Sequence, residues 1–134
     1  MARSIHLQAS SFFFIGVVGF IIDGGILTLL HARLDFSPVS ARLVSFPVAV
    51  SATWLLNRHF TFAKREDRHI GKEWLLYGLV NTTGALLNLG IYIFLVRTWN
   101  QLAAYPIVPL AMAASIAMLF NFTGSRFLVF GNTK

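Results

Sequence analysis

Cysteine is absent from the chain, which excludes disulfides, thiol nucleophiles and thiolate metal sites. Acidic residues are scarce too: five Asp and Glu stand against eleven Lys and Arg, for a formal net charge of +6. Charged residues make up only 12% of the 134 positions, where soluble domains carry about 25%. So few charges do not make a water-facing surface. His31, His59 and His69 fall near predicted helix ends without a metal-ligand spacing such as H-E-x-x-H. No P-loop and no nucleophile–base set is visible, so no catalytic residue, metal or cofactor is expected.

Apolar sequence, in contrast, is abundant. It makes up 56% of the chain and is gathered into four runs, approximately 11–31, 38–57, 73–96 and 102–122. About 20 helical residues at a rise of 1.5 Å cross a hydrocarbon core of roughly 30 Å, so each run is long enough. A helix satisfies its own backbone hydrogen bonds, as hydrocarbon requires. Sustained period-two alternation is missing, which argues against a barrel. Arg3 before the first run resembles the start of a signal peptide. The run is too long for an ordinary h-region, however, and no small-x-small cleavage site closes it, so it reads as a retained span. The expected fold class is an all-α membrane protein, with one domain over 1–134 and four transmembrane helices in two weakly repeated helical hairpins.

The positive charge is explained by topology rather than by nucleic acid, which is excluded as a partner. Arg3, Arg58, Lys64, Arg65, Arg68, Lys72, Arg126 and Lys134 share one side of a four-span chain, while Arg33 and Arg97 lie on the other. By the positive-inside rule both termini are cytoplasmic, in a multi-pass protein of the cell inner membrane. Trp54, Trp74 and Trp99 lie near span ends, where amphipathic rings suit the interface.

The halves also echo one another. Phe12, Gly19 and Asp23 recur as Tyr77, Gly84 and Asn88 at an offset of 65, and Pro38, Arg58 and Phe62 recur as Pro106, Arg126 and Phe130 at 68. Each half starts inside, crosses and returns, so the expected repeat is parallel, with its axis along the membrane normal.

Asp23 is the most telling single residue in the spans. Asp at a helix centre costs about 2.5–3.5 kcal/mol to insert, so it must face protein or water. Asn88 sits at a similar depth. They form either a polar pocket that binds a headgroup or relays a proton, or an interhelical hydrogen bond. Asn57 and Arg58 close the second span, while Asn121, Ser125 and Arg126 close the fourth. These two groups read either as a phosphate site at the inner leaflet or as snorkelling, topology-setting charge. Arg42, four residues into the second span, has three readings: snorkelling outward, pairing with Asp35, or lining an external path. Glu66, Asp67 and Glu73 read as part of a solvated connection. Gly16, Gly19, Gly24, Gly25, Gly78 and Gly84, together with alanines around Ser115, allow close helix contact, and Pro47 can bend the second helix.

The whole combination resembles the GtrA-like family of small four-span membrane proteins. The resemblance runs from Phe12 to Phe130. It is carried by Phe12, Gly16, Gly19 and Asp23, by the string 54–62 (WLLNRHFTF), similar to an Asn-Arg-x-aromatic-x-Phe signature, and by the string 121–130 (NFTGSRFLVF). It implies a role in cell-surface polysaccharide biosynthesis through translocation of a polyprenyl-phosphate-linked sugar, typically undecaprenyl phosphate, loaded by a membrane glycosyltransferase partner. By motif position it marks Asp23, Asn57, Arg58, Asn88, Asn121 and Arg126. Gly124 and Ser125 replace Leu56 and Asn57 in the second half, so the two terminal sites need not be equivalent. The substrate-binding set expected overall is Asp23, Arg42, Asn57, Arg58, Asn88, Asn121, Ser125 and Arg126. Alternatives are an accessory anchor for a polyprenyl-phosphate glycosyltransferase and a small proton-coupled exporter. Four helices leave limited room for a sugar phosphate, and a homodimer would enlarge the groove; membrane lipid is the remaining partner.

Overall fold

The structure, a computed structural model, describes residues 4–63, 69–103, 105 and 107–131. Its elements are α1 (Ile5–Leu34), α2 (Pro38–Leu56), α3 (Ile70–Thr98), the single turn α4 (Asn100–Ala103) and α5 (Ile107–Gly124). Two five-residue π-helical segments, π1 (Asn57–Thr61) and π2 (Ser125–Val129), continue α2 and α5. Among the described residues, four helices are long and apolar enough to cross a membrane. The protein is thus an all-α, multi-pass membrane protein. α1, at 30 residues, is about 45 Å long and outruns the hydrocarbon core at its ends. The fourth long helix starts at Ile107 rather than near 102, because a separate turn of helix intervenes.

Local chemistry sets the ends. α1 stops at Asp35, which takes the left-handed conformation (φ 54°) that short polar side chains tolerate. The amides of Asp35 and Phe36 both reach the Leu30 carbonyl, and the His31 ring bonds the Phe36 carbonyl at 2.8 Å. Ser37 then caps α2, its hydroxyl accepting the Ser40 amide at 3.1 Å with Pro38 in the first turn. A three-residue connection thereby sends the chain back along α1.

α1 packs chiefly on α2 and α3 chiefly on α5, and α2 meets α3 between the two pairs. Two glycines allow the closest approaches. A Cβ on Gly19 would overlap the Thr53 side chain, and one on Gly84 would overlap the Asn121 amide. Each glycine and its partner repeat at the offsets seen in the sequence. The buried core lies where α1 and α3 begin and α2 and α5 end, and contains Phe12, Val50, Phe62, Tyr77, Val80, Val129 and Phe130. Phe62 and Phe130, the pair offset by 68, stack with centroids 4.7 Å apart, and Phe122 and Phe12 extend the aromatic cluster. Apolar side chains of α1 that do not line the cavity, such as Phe14 and Ile21, are exposed. In a membrane they meet lipid.

Candidate functional site: an asparagine-lined cavity among the helices

The π-helical segments are where the site begins. At the end of α2 the Phe62 amide skips to the Asn57 carbonyl (2.9 Å), and at the end of α5 the Phe130 amide skips to that of Ser125 (2.8 Å). Widening the helix by one residue per turn re-aims the residues that follow. In the first half a polar chain locks the result. The Ser11 and Thr61 hydroxyls share a bond of 2.9 Å, Thr61 donates to Asn57 Oδ1 at 2.8 Å, and Asn57 Nδ2 donates to the Tyr77 hydroxyl at 2.9 Å. In the second half the matching positions are Leu76, Val129, Ser125 and Phe12. Ser125 is buried and its hydroxyl has no partner among the described residues, because a phenyl ring stands where Asn57 finds a phenol.

Beyond this end lies a cavity of about 430 Å³ bounded by all four long helices. Its walls are largely apolar, but Asp23, Asn57, Asn81, Asn88 and Asn121 reach it, together with Thr53 and Tyr77. Apolar walls with a few convergent polar groups are the usual make-up of a small-molecule site, and the volume falls in the common range of about 300–1,000 Å³. The side-chain oxygen of Asn121 is buried with no hydrogen-bond partner among the described residues. Gly84 provides the space for that amide.

Asp23 pairs with Arg42 through Oδ2 and Nη1. The Asp23 side chain is 14% exposed and that of Arg42 is 53%. Asp23 Oδ1 is buried with no partner among the described residues. The Arg42 guanidinium lies 5.5 Å from the Phe46 ring, which itself lines the cavity. Arg42 thus reaches Asp23 rather than Asp35, because on α2 it faces the flank of α1 well below the turn.

Arg58 and Arg126 lie outside the cavity wall. Arg58 donates to Glu73 Oε1 at 2.6 Å, and the Trp54 indole donates to the same oxygen at 3.0 Å. The guanidinium sits 5.7 Å from the Trp54 ring. Glu73 is fully buried, which corrects its assignment to a solvated connection. α3 begins at Ile70, so Glu73 belongs to the helix and turns inward toward Arg58 and Trp54. Glu66 and Asp67 lie outside the described residues. Arg126 donates to Gln8 Oε1 at 2.8 Å, and since Gln8 is neutral this cation keeps its charge uncompensated among the described residues. Trp74 donates to Ser51 on α2 at 3.0 Å, so it joins helices besides facing outward.

Of the expected set, then, Asp23, Asn57, Asn88 and Asn121 share the cavity, Arg42 sits at its edge through Asp23, and Ser125, Arg58 and Arg126 stand apart toward the terminal end. Sequence reasoning passed over Tyr77 as a polar group and missed Asn81, Thr53 and Glu73. The signal was present: Glu73, Tyr77, Asn81, Gly84 and Asn88 follow the spacing of one helix face. No group of three or more His, Cys, Asp or Glu that could hold a metal occurs among the described residues.

Four long apolar helices around a cavity reached by several side-chain amides define a polytopic membrane protein with a candidate small-molecule site. Comparison with known proteins narrows the class. The sequence profile described as GtrA/DPMS, transmembrane domain, matches residues 11–130. The chain belongs to that family. It is also similar to the uncharacterized membrane protein YngA of Bacillus subtilis (strain 168), at 27% identity over 119 residues covering 89% of this chain and 76% of the relative. Family membership is consistent with a role in lipid-linked sugar handling at the membrane.

Proposed function

We propose that the protein translocates a polyprenyl-phosphate-linked sugar across the membrane for surface polysaccharide synthesis or glycosylation. The observation that carries this reading is the intramembrane cavity with its four asparagines. Side-chain amides present both donors and acceptors, as sugar hydroxyls do. The prenyl chain stays in lipid while the sugar occupies the cavity, with Asn57, Asn88 and Asn121 as its contacts.

Both termini are cytoplasmic in this reading, in accordance with the Lys and Arg bias, and the two halves act as a parallel repeat. The terminal end then faces the cytoplasm, where a membrane glycosyltransferase supplies the loaded lipid. Arg126 attracts its phosphate there, while Arg58, already engaged by Glu73, holds α2 to α3. Transport runs down the lipid-linked sugar gradient.

The test is flux in liposomes that contain the purified protein alone, with labelled polyprenyl-phosphate hexose loaded on one leaflet. Transfer above that of protein-free liposomes, reduced by Asn121→Leu in a folded variant, is expected. No transfer by folded, correctly inserted protein would favour an accessory role beside a glycosyltransferase.

A further inference from the structure

The arginines of the bundle are held very differently. Arg58 faces a carboxylate with no exposure and shares it with an indole N–H. Arg42 makes one hydrogen bond among the described residues, from Nη1 to Asp23, and leaves more than half of its side chain exposed. Its carboxylate partner is equally half-used, because Oδ1 is buried and bonds to nothing among the described residues. A carboxylate held largely out of water offsets its desolvation only when its remaining lone pairs are also satisfied. Asp23–Arg42 is therefore a weakly held pair at the edge of the cavity, with unused guanidinium donors on one side and an unused acceptor on the other.

We propose that Arg42 is a phosphate station and that Asp23 is its resident counter-ion, displaced when the substrate phosphate arrives. This rests on the reading of the cavity as a sugar-phosphate site. A phosphodiester presents two oxygens that match the planar donor fork of arginine, which Asp23 meets through one oxygen only. The phosphate is thus the better-fitting partner for Arg42. With both anions at one arginine, the displaced carboxylate then repels the phosphate and hastens its departure. Asp23 sets how long the substrate stays, and the guanidinium sets how well it is captured. Sugar and phosphate consequently lie along the cavity in a fixed order, with the phosphate at the Asp23–Arg42 edge and the sugar toward Asn121 and Tyr77.

The two residues then have opposite effects on binding, which a purely structural ion pair does not produce. The experiment uses the full chain in lipid nanodiscs, with labelled polyprenyl-phosphate hexose, polyprenyl phosphate and uncharged polyprenol as probes, and thermal melting to verify folding. Asp23→Asn is expected to bind both phosphate lipids several-fold more tightly and to release them more slowly. Arg42→Gln is expected to lose about tenfold in affinity for both, the worth of one charge-assisted contact. Arg42→Lys, which keeps the charge without the fork, falls between, and it replaces Arg42→Gln should that variant not fold. Equal losses in Asp23→Asn and Arg42→Gln, or unchanged binding in both, overturn the proposal. A wild-type protein that binds the phosphate lipids no better than polyprenol overturns the cavity reading beneath it as well.

Discussion

Removing Glu73 is the most direct way to learn what Arg58 does. The carboxylate is completely buried, accepts from Arg58 at 2.6 Å and from Trp54 at 3.0 Å, and joins the start of α3 to the end of α2. Glu73→Ala strands a guanidinium and an indole N–H together. Breaking a buried pair costs about 3–5 kcal/mol. Arg58 keeps one-fifth of its side-chain exposure, so water screens part of its charge, and about 2–3 kcal/mol is the expected loss. Glu73→Gln keeps an oxygen for both donors but loses the charge, and should cost about 1 kcal/mol. The assay is reversible unfolding in detergent micelles, completed as a double-mutant cycle with Arg58→Met, where contacting partners couple by about 0.5–3 kcal/mol. A Glu73→Ala variant as stable as wild type, or strict additivity with Arg58→Met, would refute the argument and return Arg58 to the pool of free phosphate ligands.

Two further outcomes follow from the same geometry. Gly84→Ala drives a methyl into the Asn121 amide and should lower stability by about 1–3 kcal/mol, whereas Gly16→Ala meets nothing within 4 Å and should raise it by about 0.5–1 kcal/mol through its better helix propensity; thermal unfolding of the two variants side by side checks the contrast. With no native cysteine to interfere, Ser4→Cys should react with an impermeant maleimide only in opened cells, and Asn100→Cys in intact ones; the reverse pattern would invert the orientation.

Much of the fold could be read from the sequence, because bilayer thickness is a constraint that acts directly on run length. The aromatic pair Phe62 and Phe130, recognised only as a recurring spacing, forms the centre of the core. Asp23 stood out since an acid in an apolar run has no bland environment to occupy. What could not be read were the partners. Arg42 had several possible destinations, and only the packing of α2 on α1 selects Asp23. Glu73 misled because it follows charged neighbours along the chain, while its environment is fixed by the helical phase that begins at Ile70. Asn81 was overlooked although it lies four residues beyond Tyr77, and its side chain bonds that residue's carbonyl at 2.9 Å while facing the cavity. Charge and span length are local properties of sequence; who meets whom across a bundle is not.

The packed rings of Phe12, Phe62, Phe122 and Phe130 lie at the terminal end of the bundle, with Phe12 also lining the cavity. Their consequence is electrical. A chamber within a bilayer shortens the distance that an ion must travel through a poor conductor, and cells depend on that conductor holding a voltage. Packed aromatic carbon offers little to replace an ion's hydration shell, and the polar groups beside it, from Ser11 through Thr61 and Asn57 to Tyr77, are bonded to one another. On the proposed reading, a guest that keeps its tail in the bilayer arrives from the side and does not cross those rings. On that reading, a site that admits a lipid from the side need not open a path for ions along the bundle.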